Sequence, residues 1–327
     1  RSLPEGGTMA ERLTPTRRSF LLLPALGLLP YRTESGQALP QPSPVTRILF
    51  GGDVMLSRNV GMLAREKADP AWPLHDMAGL FASADLAFVN LEAPFSDHGH
   101  RVEKGMVFKA EPEMVDALRL AGIDIVSTAN NHVRDCGAYG VGFTLDLLAR
   151  NGIAAVGTGH TEEAAHQGTV LERNGVRFGF LAYTYDQSNG NHADRDNRVA
   201  MMDAEDMSED VEDMRERSDV VIVSMHAGLE YWSKPTPSQR KFARAAIDAG
   251  ASVVVGHHPH VTQPVESWGN GVIFYSLGNL VFDQFQRKET QRGLIADVRF
   301  VGRRLAGYGA IPVDIVRAAP RIAPRAN

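Results

Sequence analysis

The feature that most constrains the fold is an alternation of short apolar runs with helical stretches, which begins near Val45. The runs are rich in β-branched residues, and each ends directly in glycine or polar residues. They are TRILFGGD (46–53), DLAFVNLE (85–92), DIVSTANNH (124–132) and IAAVGTG (153–159). Continuous apolar runs separated by helices are typical of parallel strands that are buried on both faces. The sequence therefore predicts an α/β fold built from β-α-β units.

Helices are predicted between these runs from their start and stop signals. The clearest spans residues 111–122, with Pro112 near its first turn and Gly122 just past its last apolar position. An Asn-Gly pair ends a second candidate helix in the same way, and the rhythm of strand and helix resumes later in the chain. The further candidates are helices at 140–152 and near 236–249, and strands at 218–228 and 251–260.

The second half of the chain departs from a purely parallel pattern. Two apolar runs within residues 168–185 flank Asn174-Gly175, which is a strong hairpin signal. A polar stretch at 186–198 predicts a long loop. Three later runs are strand-like, at 271–283, at 293–302 and up to about Val316. We predict an α/β sandwich with mixed sheets, formed by a single domain over residues 45–327.

Residues 1–44 are predicted to lie outside this domain. The arginine pair Arg17-Arg18 is followed by an apolar run at 20–29 and by a small-residue site, GQA, at 36–38. This is the order of regions in a signal peptide, and twin arginines before Ser-Phe-Leu are similar to a Tat signal, which exports folded proteins. We therefore expect a periplasmic or otherwise extracytoplasmic protein, anchored at the membrane if the signal is uncleaved, with a proline-rich linker before the domain.

Charge and cysteine content exclude several kinds of partner and site. The 327 residues carry a formal net charge of −5, so the chain has no basic field to collect nucleic acid. Its one cysteine, Cys136, excludes an internal disulfide and any metal site built from several cysteines.

Polar side chains that bind metals follow five of the predicted strands directly. Ligands of open α/β sheets bind beyond the carboxyl ends of the strands, so these side chains should gather at one edge. Mixed carboxylate oxygens and imidazole nitrogens suit Zn, Mn or Fe. The candidates are Asp53, Glu92, Asn131, His132, His226, His258 and His260.

Each candidate alone has a simpler explanation. A carboxylate after a strand, such as Asp53, is often a helix cap, and a single histidine such as His132 often bonds to backbone. The triplet around Pro259 in GHHPH (256–260) is harder to explain by packing, because packing gives no reason for three imidazoles at one strand end. The recurrence of such residues, rather than any one of them, predicts the metal site.

Six segments resemble the bacterial capsule-synthesis (CapA) family, which is associated with poly-γ-glutamate production and is similar to the calcineurin-like metallophosphatases. In chain order they are GDVMLSR (52–58), NLEAPF (90–95), ANNHVRDCG (129–137), HAGLEY (226–231), GHHPHVTQPVE (256–266) and YSLGNLVFD (275–283). The resemblance extends over roughly residues 46–285. It implies a four-layered α/β/β/α metallophosphatase-like sandwich.

The resemblance also implies ligand sets for two divalent ions. One set would be Glu92, Asn131, His226 and His258, and the other would be Asp53, Glu92 and His260. Met55 stands where the superfamily has a further histidine. Because a thioether is a poor ligand for such ions, the second site is weakened, and either one or two ions are expected. No nucleotide cofactor is expected.

Other residues receive roles around the expected ions. His132 is the implied proton donor to the leaving group, while His257 has no assigned role. Four more residues are candidates for orienting imidazoles, for substitute ligation or for binding an anionic substrate: Glu230, Glu266, Asn279 and Arg134.

The resemblance implies two alternative functions. The first is a metallohydrolase that uses a metal-activated water to cut a phosphoester or a γ-glutamyl amide bond of an anionic polymer. The second is a non-catalytic accessory subunit that binds polymer, in an assembly with membrane-bound capsule synthesis and export proteins. The sequence leaves the oligomeric state open.

Overall fold

The apolar runs form strands of two sheets in a computed structural model that describes residues 44–98, 106–185 and 198–324. The predicted signal peptide and most of the predicted loop at 186–198 lie outside these residues. The strands are β1 (Val45–Val54), β2 (Leu86–Leu91), β3 (Ile125–Ser127), β4 (Ala154–Val156), β5 (Thr169–Arg173), β6 (Val176–Thr184), β7 (Val220–His226), β8 (Val253–His257), β9 (Val265–Trp268), β10 (Gly271–Phe274), β11 (Asn279–Val281), β12 (Arg292–Val301), β13 (Arg304–Val316) and β14 (Ala319–Ile322).

Helices alternate with the strands of the first half and recur in the second. They are α1 (Arg58–Glu66), α2 (His75–Phe81), α3 (Val115–Ala121), α4 (Gly137–Arg150), α5 (Glu162–Gln167), α6 (Ala204–Arg217) and α7 (Pro237–Ala249), with short 3-10 turns at Trp72–Leu74, Pro112–Met114 and Glu289–Gln291. Gly122 ends α3 with a φ of 79°, as its position in the sequence predicts. None of the helices in the described part is long and apolar enough to cross a membrane.

The first sheet has the strand order β14-β13-β12-β1-β2-β3-β4. Strands β1 to β4 are parallel, which confirms the prediction from their continuous apolar runs. The strands β12, β13 and β14 extend the sheet in antiparallel fashion, and the short β11 pairs with the carboxyl end of β1. The carboxyl ends of β1 and β2 therefore lie side by side.

The second sheet has the strand order β5-β6-β7-β8-β10-β9. Its four central strands are parallel, and both edge strands are antiparallel to their neighbours. The predicted hairpin at Asn174-Gly175 is confirmed, because β5 and β6 pair across it. Both residues have positive φ, 54° and 74°, as the favoured two-residue hairpin turn requires.

The two sheets pack face to face, with helices on both outer faces. Alternate residues of β1 point to opposite sides: Ile48 and Phe50 pack in the core between the sheets with Phe178, while Leu49 packs towards α1 to α4. A third apolar core joins α6 and α7 to the second sheet. This arrangement confirms the α/β sandwich with mixed sheets that the sequence predicted and the four α/β/β/α layers that the family resemblance implied.

The strand-like run at 271–283 is divided between the two sheets. The segment forms β10 in the second sheet and β11 in the first, and residues 275–279, here named the crossing segment, pass from one sheet to the other. The run is mostly apolar because each layer it crosses is buried, as Tyr275 and Leu277 show. A pattern of burial alone cannot reveal a change of sheet.

Three glycines let the crossing segment approach the strands around it. A Cβ atom at Gly52 in β1, Gly256 in β8 or Gly293 in β12 would overlap a carbonyl oxygen of this segment. Only glycine permits so close an approach of two backbones. The crossing segment is therefore held by strands of both sheets.

A histidine outside the site links two helices to the second sheet. The Nδ1 atom of His166 in α5 lies 2.7 Å from Oδ2 of Asp210 in α6, and the Tyr183 hydroxyl donates to the same oxygen. This hydrogen bond is the main cause that raises the pKa of His166 above 6.5, against a smaller opposing effect of burial. The bond contributes its full stabilisation at pH values below the ordinary histidine pKa of 6.5, and this contribution is lost as pH rises through the higher pKa of the folded state.

We expect His166→Gln to flatten the pH dependence of stability. Because the pair is only half-buried, the difference in unfolding free energy between wild type and variant should be below about 1 kcal/mol. It should be larger at pH 5.5 than at pH 8.5, as measured by urea unfolding at both values. His75→Gln, which alters an exposed histidine, is the matched control. An equal effect of His166→Gln at both pH values would contradict this account.

Candidate metal centre

The predicted ligands meet where strands of both sheets end. Asp53 lies near the end of β1, Glu92 directly follows β2, and His226 is the last residue of β7. His258 and His260 lie in the turn after β8. All five side chains are buried, and the first three are 0% exposed.

The five side chains form two triads that share one carboxylate. Potential ligand atoms of Glu92, His226 and His258 all lie within 4.8 Å of one another, and so do those of Asp53, Glu92 and His260. The Oε1 atom of Glu92 is 4.0 Å from Nε2 of His226 and 3.7 Å from Nε2 of His260. Glu92 thus lies where a carboxylate could bridge two cations.

The Glu92 carboxylate is buried without a hydrogen-bond partner for either oxygen. Burial raises its pKa well above the usual value, and the charges of Asp53, Glu230 and Asp135 raise it further. An unpaired buried carboxylate is strongly unfavourable, whereas a divalent cation beside it supplies the missing positive charge. The residues present therefore fit a metal ion.

Asp53 is in the opposite electrostatic state. Although burial, the largest influence, raises its pKa, neighbouring His257 and His260 hold the pKa well below 3.8. Its Oδ1 accepts a hydrogen bond of 2.8 Å from Asn90, and its Oδ2 accepts one of 3.3 Å from the backbone N–H of His258. Asp53 is thus charged, and these two hydrogen bonds fix the direction of its carboxylate within the second triad.

The histidines of the first triad are neutral, which is the form that binds metals. Burial is the main cause that lowers the pKa of His226 well below 6.5, and burial together with His260 lowers that of His258 to about 3. His258 Nδ1 is buried with no hydrogen-bond partner. Tyr185 packs against both rings, with its centroid 4.7 Å from that of His258.

Asn131 joins the first triad through His226. Its Oδ1 lies 2.8 Å from His226 Nε2, so both atoms face the space beside Glu92. Asn90 connects the triads, because its Nδ2 lies 2.8 Å from Asp53 Oδ1 and 3.2 Å from His226 Nδ1. Asn90 follows from no signal that the sequence interpretation used, although it lies two residues before Glu92 in the same NLE segment.

His132 lies in the loop after β3 and is held on two sides. Its Nδ1 is 2.7 Å from Oδ2 of Asp135, which also accepts the backbone N–H of Phe108. The Phe108 ring stacks on the imidazole with centroids 3.8 Å apart. Asp135 is fully buried, and its spacing of three residues from His132 could have suggested the pair.

His260 is oriented by the crossing segment. Its Nδ1 lies 2.9 Å from Oδ1 of Asn279, whose amide donates to Gln284 and to the carbonyl of Thr290. This places Nε2 of His260 towards Glu92. Asn279 thus contacts the imidazole of His260, and its role as a substitute ligand stays a prediction.

We expect Asn279→Ala to weaken metal binding at the Asp53, Glu92 and His260 triad by about 10- to 100-fold, because His260 loses the acceptor that fixes its ring. Calorimetric titration of the metal-free protein measures both affinities. The ion of the other triad is an internal control. Equal loss at both triads would indicate a general distortion instead.

The remaining candidates have different surroundings. Met55 packs in the apolar core towards the helices. Its sulfur accepts a hydrogen bond from the Ser57 hydroxyl at 3.0 Å, so it does not reach the triads.

Glu230 is exposed but near enough to act on the pKa of Glu92. Arg134 is buried in the same loop as His132. His257 Nδ1 lies 3.3 Å from Asp53 Oδ1, without hydrogen-bond geometry.

The expectation that Glu266 orients an imidazole was wrong. Glu266 lies in the edge strand β9, where it forms an ion pair with Arg244 and accepts the Tyr275 hydroxyl at 2.6 Å. Both carboxylate oxygens are thereby engaged. Its closeness in sequence to GHHPH does not persist in space, because the chain leaves the site before β9 begins.

Other proteins share this sequence pattern. A family model described as bacterial capsule synthesis protein PGA_cap matches residues 47–284. "PGA biosynthesis protein CapA" of Bacillus subtilis is 29% identical, with 96% of this chain and 84% of that protein aligned. "Capsule biosynthesis protein CapA" of Bacillus anthracis is also 29% identical, over 83% of this chain and 67% of that protein.

More distant proteins also match. A "probable polyglutamine synthesis accessory protein" of Mycobacterium tuberculosis is 27% identical, over 73% of this chain and 75% of that protein. Among solved structures, NAD nucleotidase of Haemophilus influenzae matches with a TM-score of 0.48 and 11% identity, over 84% of this chain and 51% of that chain. A Thermus thermophilus protein matches with a TM-score of 0.44 and 10% identity, over 82% of this chain and 98% of that chain. From the family model, which covers most of the domain, the chain belongs to the bacterial capsule synthesis (PGA_cap) family.

Proposed function

We propose that this protein is a metal-dependent hydrolase of capsule or poly-γ-glutamate biosynthesis. The observation that carries the proposal is the Glu92 carboxylate, which is fully buried, has no hydrogen-bond partner and is shared by two ligand triads. A family whose relatives are named for capsule and PGA biosynthesis supplies the biological setting.

The ligand atoms suit one or two divalent ions, Mn, Fe or Zn. One ion would be held by Glu92, Asn131, His226 and His258, and a second by Asp53, Glu92 and His260. Such ions, when bound, polarise the oxygen of a substrate and lower the pKa of water. The buried acids and the imidazoles give each ion both charge compensation and nitrogen ligands.

His132 is the proposed proton donor to the leaving group. With Nδ1 held by Asp135, its Nε2 is the nitrogen that can give a proton. The stack against Phe108 prevents the ring from turning, so the donating nitrogen keeps one direction. A fixed imidazole is the usual group for this task, since its ordinary pKa lies near neutral pH.

The substrate is proposed to be anionic, either a phosphoester or a γ-linked glutamate polymer. Export through the Tat-like segment within residues 1–44 would place the protein beside membrane-bound capsule synthesis and export proteins, which are the proposed partners. The arginine pair and apolar run of that segment support export. A fusion of residues 1–44 to a reporter that fluoresces only when folded tests export in the folded state.

A non-catalytic accessory role is the second candidate. Met55 occupies the position of a ligand in the metallophosphatase pattern, yet it lies in the apolar core, so the second triad has only three side chains. The M. tuberculosis relative is named as an accessory protein. In this role the site would bind polymer or maintain the fold without turnover.

Metal content followed by turnover separates the two candidates. The purified full chain is loaded with Mn, Fe or Zn, its metal content is measured, and p-nitrophenyl phosphate, its diester and poly-γ-glutamate are tested as substrates. Hydrolysis of any of these that disappears with chelation supports the hydrolase. Stoichiometric metal with no turnover on all three would favour the accessory role, and absence of metal binding would contradict both.

A further inference from the structure

Arg58 lies one aromatic ring away from the proposed proton donor. Its guanidinium carbon is 5.5 Å from the centroid of the Phe108 ring, and that ring stacks directly on His132. The Arg58 side chain is 34% exposed, whereas Phe108 is buried. The guanidinium is therefore the most exposed side-chain group of the stack that Arg58, Phe108 and His132 form.

A buried carboxylate holds Arg58 in this place. The side chain of Asp283 is 0% exposed, and its Oδ2 lies 3.3 Å from Nε of Arg58 and accepts the backbone N–H of Asn59 at 3.2 Å. Its Oδ1 has no hydrogen-bond partner. The carboxylate therefore does not form the bidentate pair that arginine and aspartate usually make.

The outer edge of the guanidinium remains available. Within the described part of the chain, its one hydrogen bond there runs from Nη1 to the sulfur of exposed Met106, a weak acceptor. The backbone of Arg58 has a φ of 53°, a left-handed conformation that non-glycine residues rarely adopt. Such backbone strain is found mainly where the surroundings impose it, and it is concentrated at functional sites.

We propose that Arg58 binds a carboxylate on the leaving-group part of the substrate, and that Asp283 is the positioning residue that aims it. This inference rests on the proposed function and narrows its substrate class to γ-linked glutamate. Every unit of such a polymer carries a free α-carboxylate beside the amide bond. When one amide lies at His132, a carboxylate of a neighbouring unit can meet the two Nη atoms, whose fork matches its two oxygens.

Binding to matched oligomers tests the assignment on the metal-loaded full chain. One oligomer is γ-linked glutamate, and the other has the same length with its α-carboxylates converted to amides. Wild type should bind the charged oligomer more tightly, and Arg58→Gln should lose about tenfold or more in affinity for it, because a charge-assisted bidentate contact is lost. Affinity for the amide oligomer should not change. Arg58→Lys should restore part of the loss.

Two further variants sharpen the result. Asp283→Asn should reduce the preference for the charged oligomer less than Arg58→Gln does, since Arg58 keeps its charge but loses its fixed direction. Arg65→Gln, on the exposed end of the same helix, is the control and should bind as wild type does.

Equal affinity of wild type for both oligomers would overturn the proposal, and so would an equal loss for both in Arg58→Gln. If the variant weakened competition by inorganic phosphate as much as it weakened oligomer binding, the carboxylate assignment would be wrong. These tests measure binding, so they remain decisive if the metal-loaded protein shows no turnover. Absence of turnover would refute the hydrolase proposal but not the role of Arg58.

Discussion

Replacing Glu92 with glutamine should abolish metal binding at both triads while leaving the metal-free protein at least as stable as before. The carboxylate belongs to both ligand sets, so its charge is lost from both at once. In the absence of metal this carboxyl group is buried without a hydrogen-bond partner and its pKa is raised well above the usual value, so the substitution removes a group that is costly to ionise there. A ligand present at 100 times its Kd stabilises a protein by about 2.7 kcal/mol, and this increment should vanish in the variant.

Thermal unfolding with and without metal, together with metal content, measures this result. Glu230→Gln is the matched control, because it removes the charge of an exposed carboxylate near the same site. The control should keep the metal-dependent rise in Tm. A Glu92→Gln protein that still binds two equivalents of metal would show that Glu92 does not bridge the triads.

Replacing His132 with glutamine should lower kcat by about 10²- to 10⁴-fold without loss of bound metal, as expected when a general acid is removed. His132 is not part of either triad. Its imidazole forms a hydrogen bond with Asp135 and stacks on the ring of Phe108. Turnover and metal content are measured on the same preparation, using whichever substrate the wild type hydrolyses. Metal loss in parallel with activity would refute the role of proton donor.

Two companion variants separate proton donation from structure. Asp135→Asn keeps the shape of the side chain that holds His132 but removes the carboxylate charge. It should lower kcat less than His132→Gln does and should change the pH profile of kcat. His98→Gln alters an exposed histidine and should change neither quantity. An activity loss of similar size in His98→Gln would indicate that His132→Gln acts indirectly.

Much of the fold can be predicted from the sequence because the burial of each strand is visible in the order of apolar residues along the chain. The run around Ile48 is apolar at successive positions since one face of β1 meets the other sheet and the opposite face meets helices. The Asn174-Gly175 turn is equally local, because two positive φ angles are needed and these residues tolerate them. Such features depend on near neighbours alone.

The residues of the candidate site could be predicted from the sequence for a related reason. Residues such as Asp53 and His226 come at the carboxyl ends of parallel strands, and parallel strands bring those ends together. The individual contacts between side chains could not be predicted from the sequence. Asn279 contacts His260 because the crossing segment brings it back to the site, whereas Glu266 lies with Arg244 because the chain after GHHPH first runs out to the edge strand β9.

The distribution of the candidate ligands over both sheets has a consequence for folding. Asp53 and His258 are 205 residues apart in the chain and meet only when the sheets are docked. Closing so long a loop costs conformational entropy that the partly folded chain has not yet offset by burial. A fragment with either sheet alone would therefore keep its signature motifs and still lack the complete chelating site, so the centre forms only once the two sheets have docked.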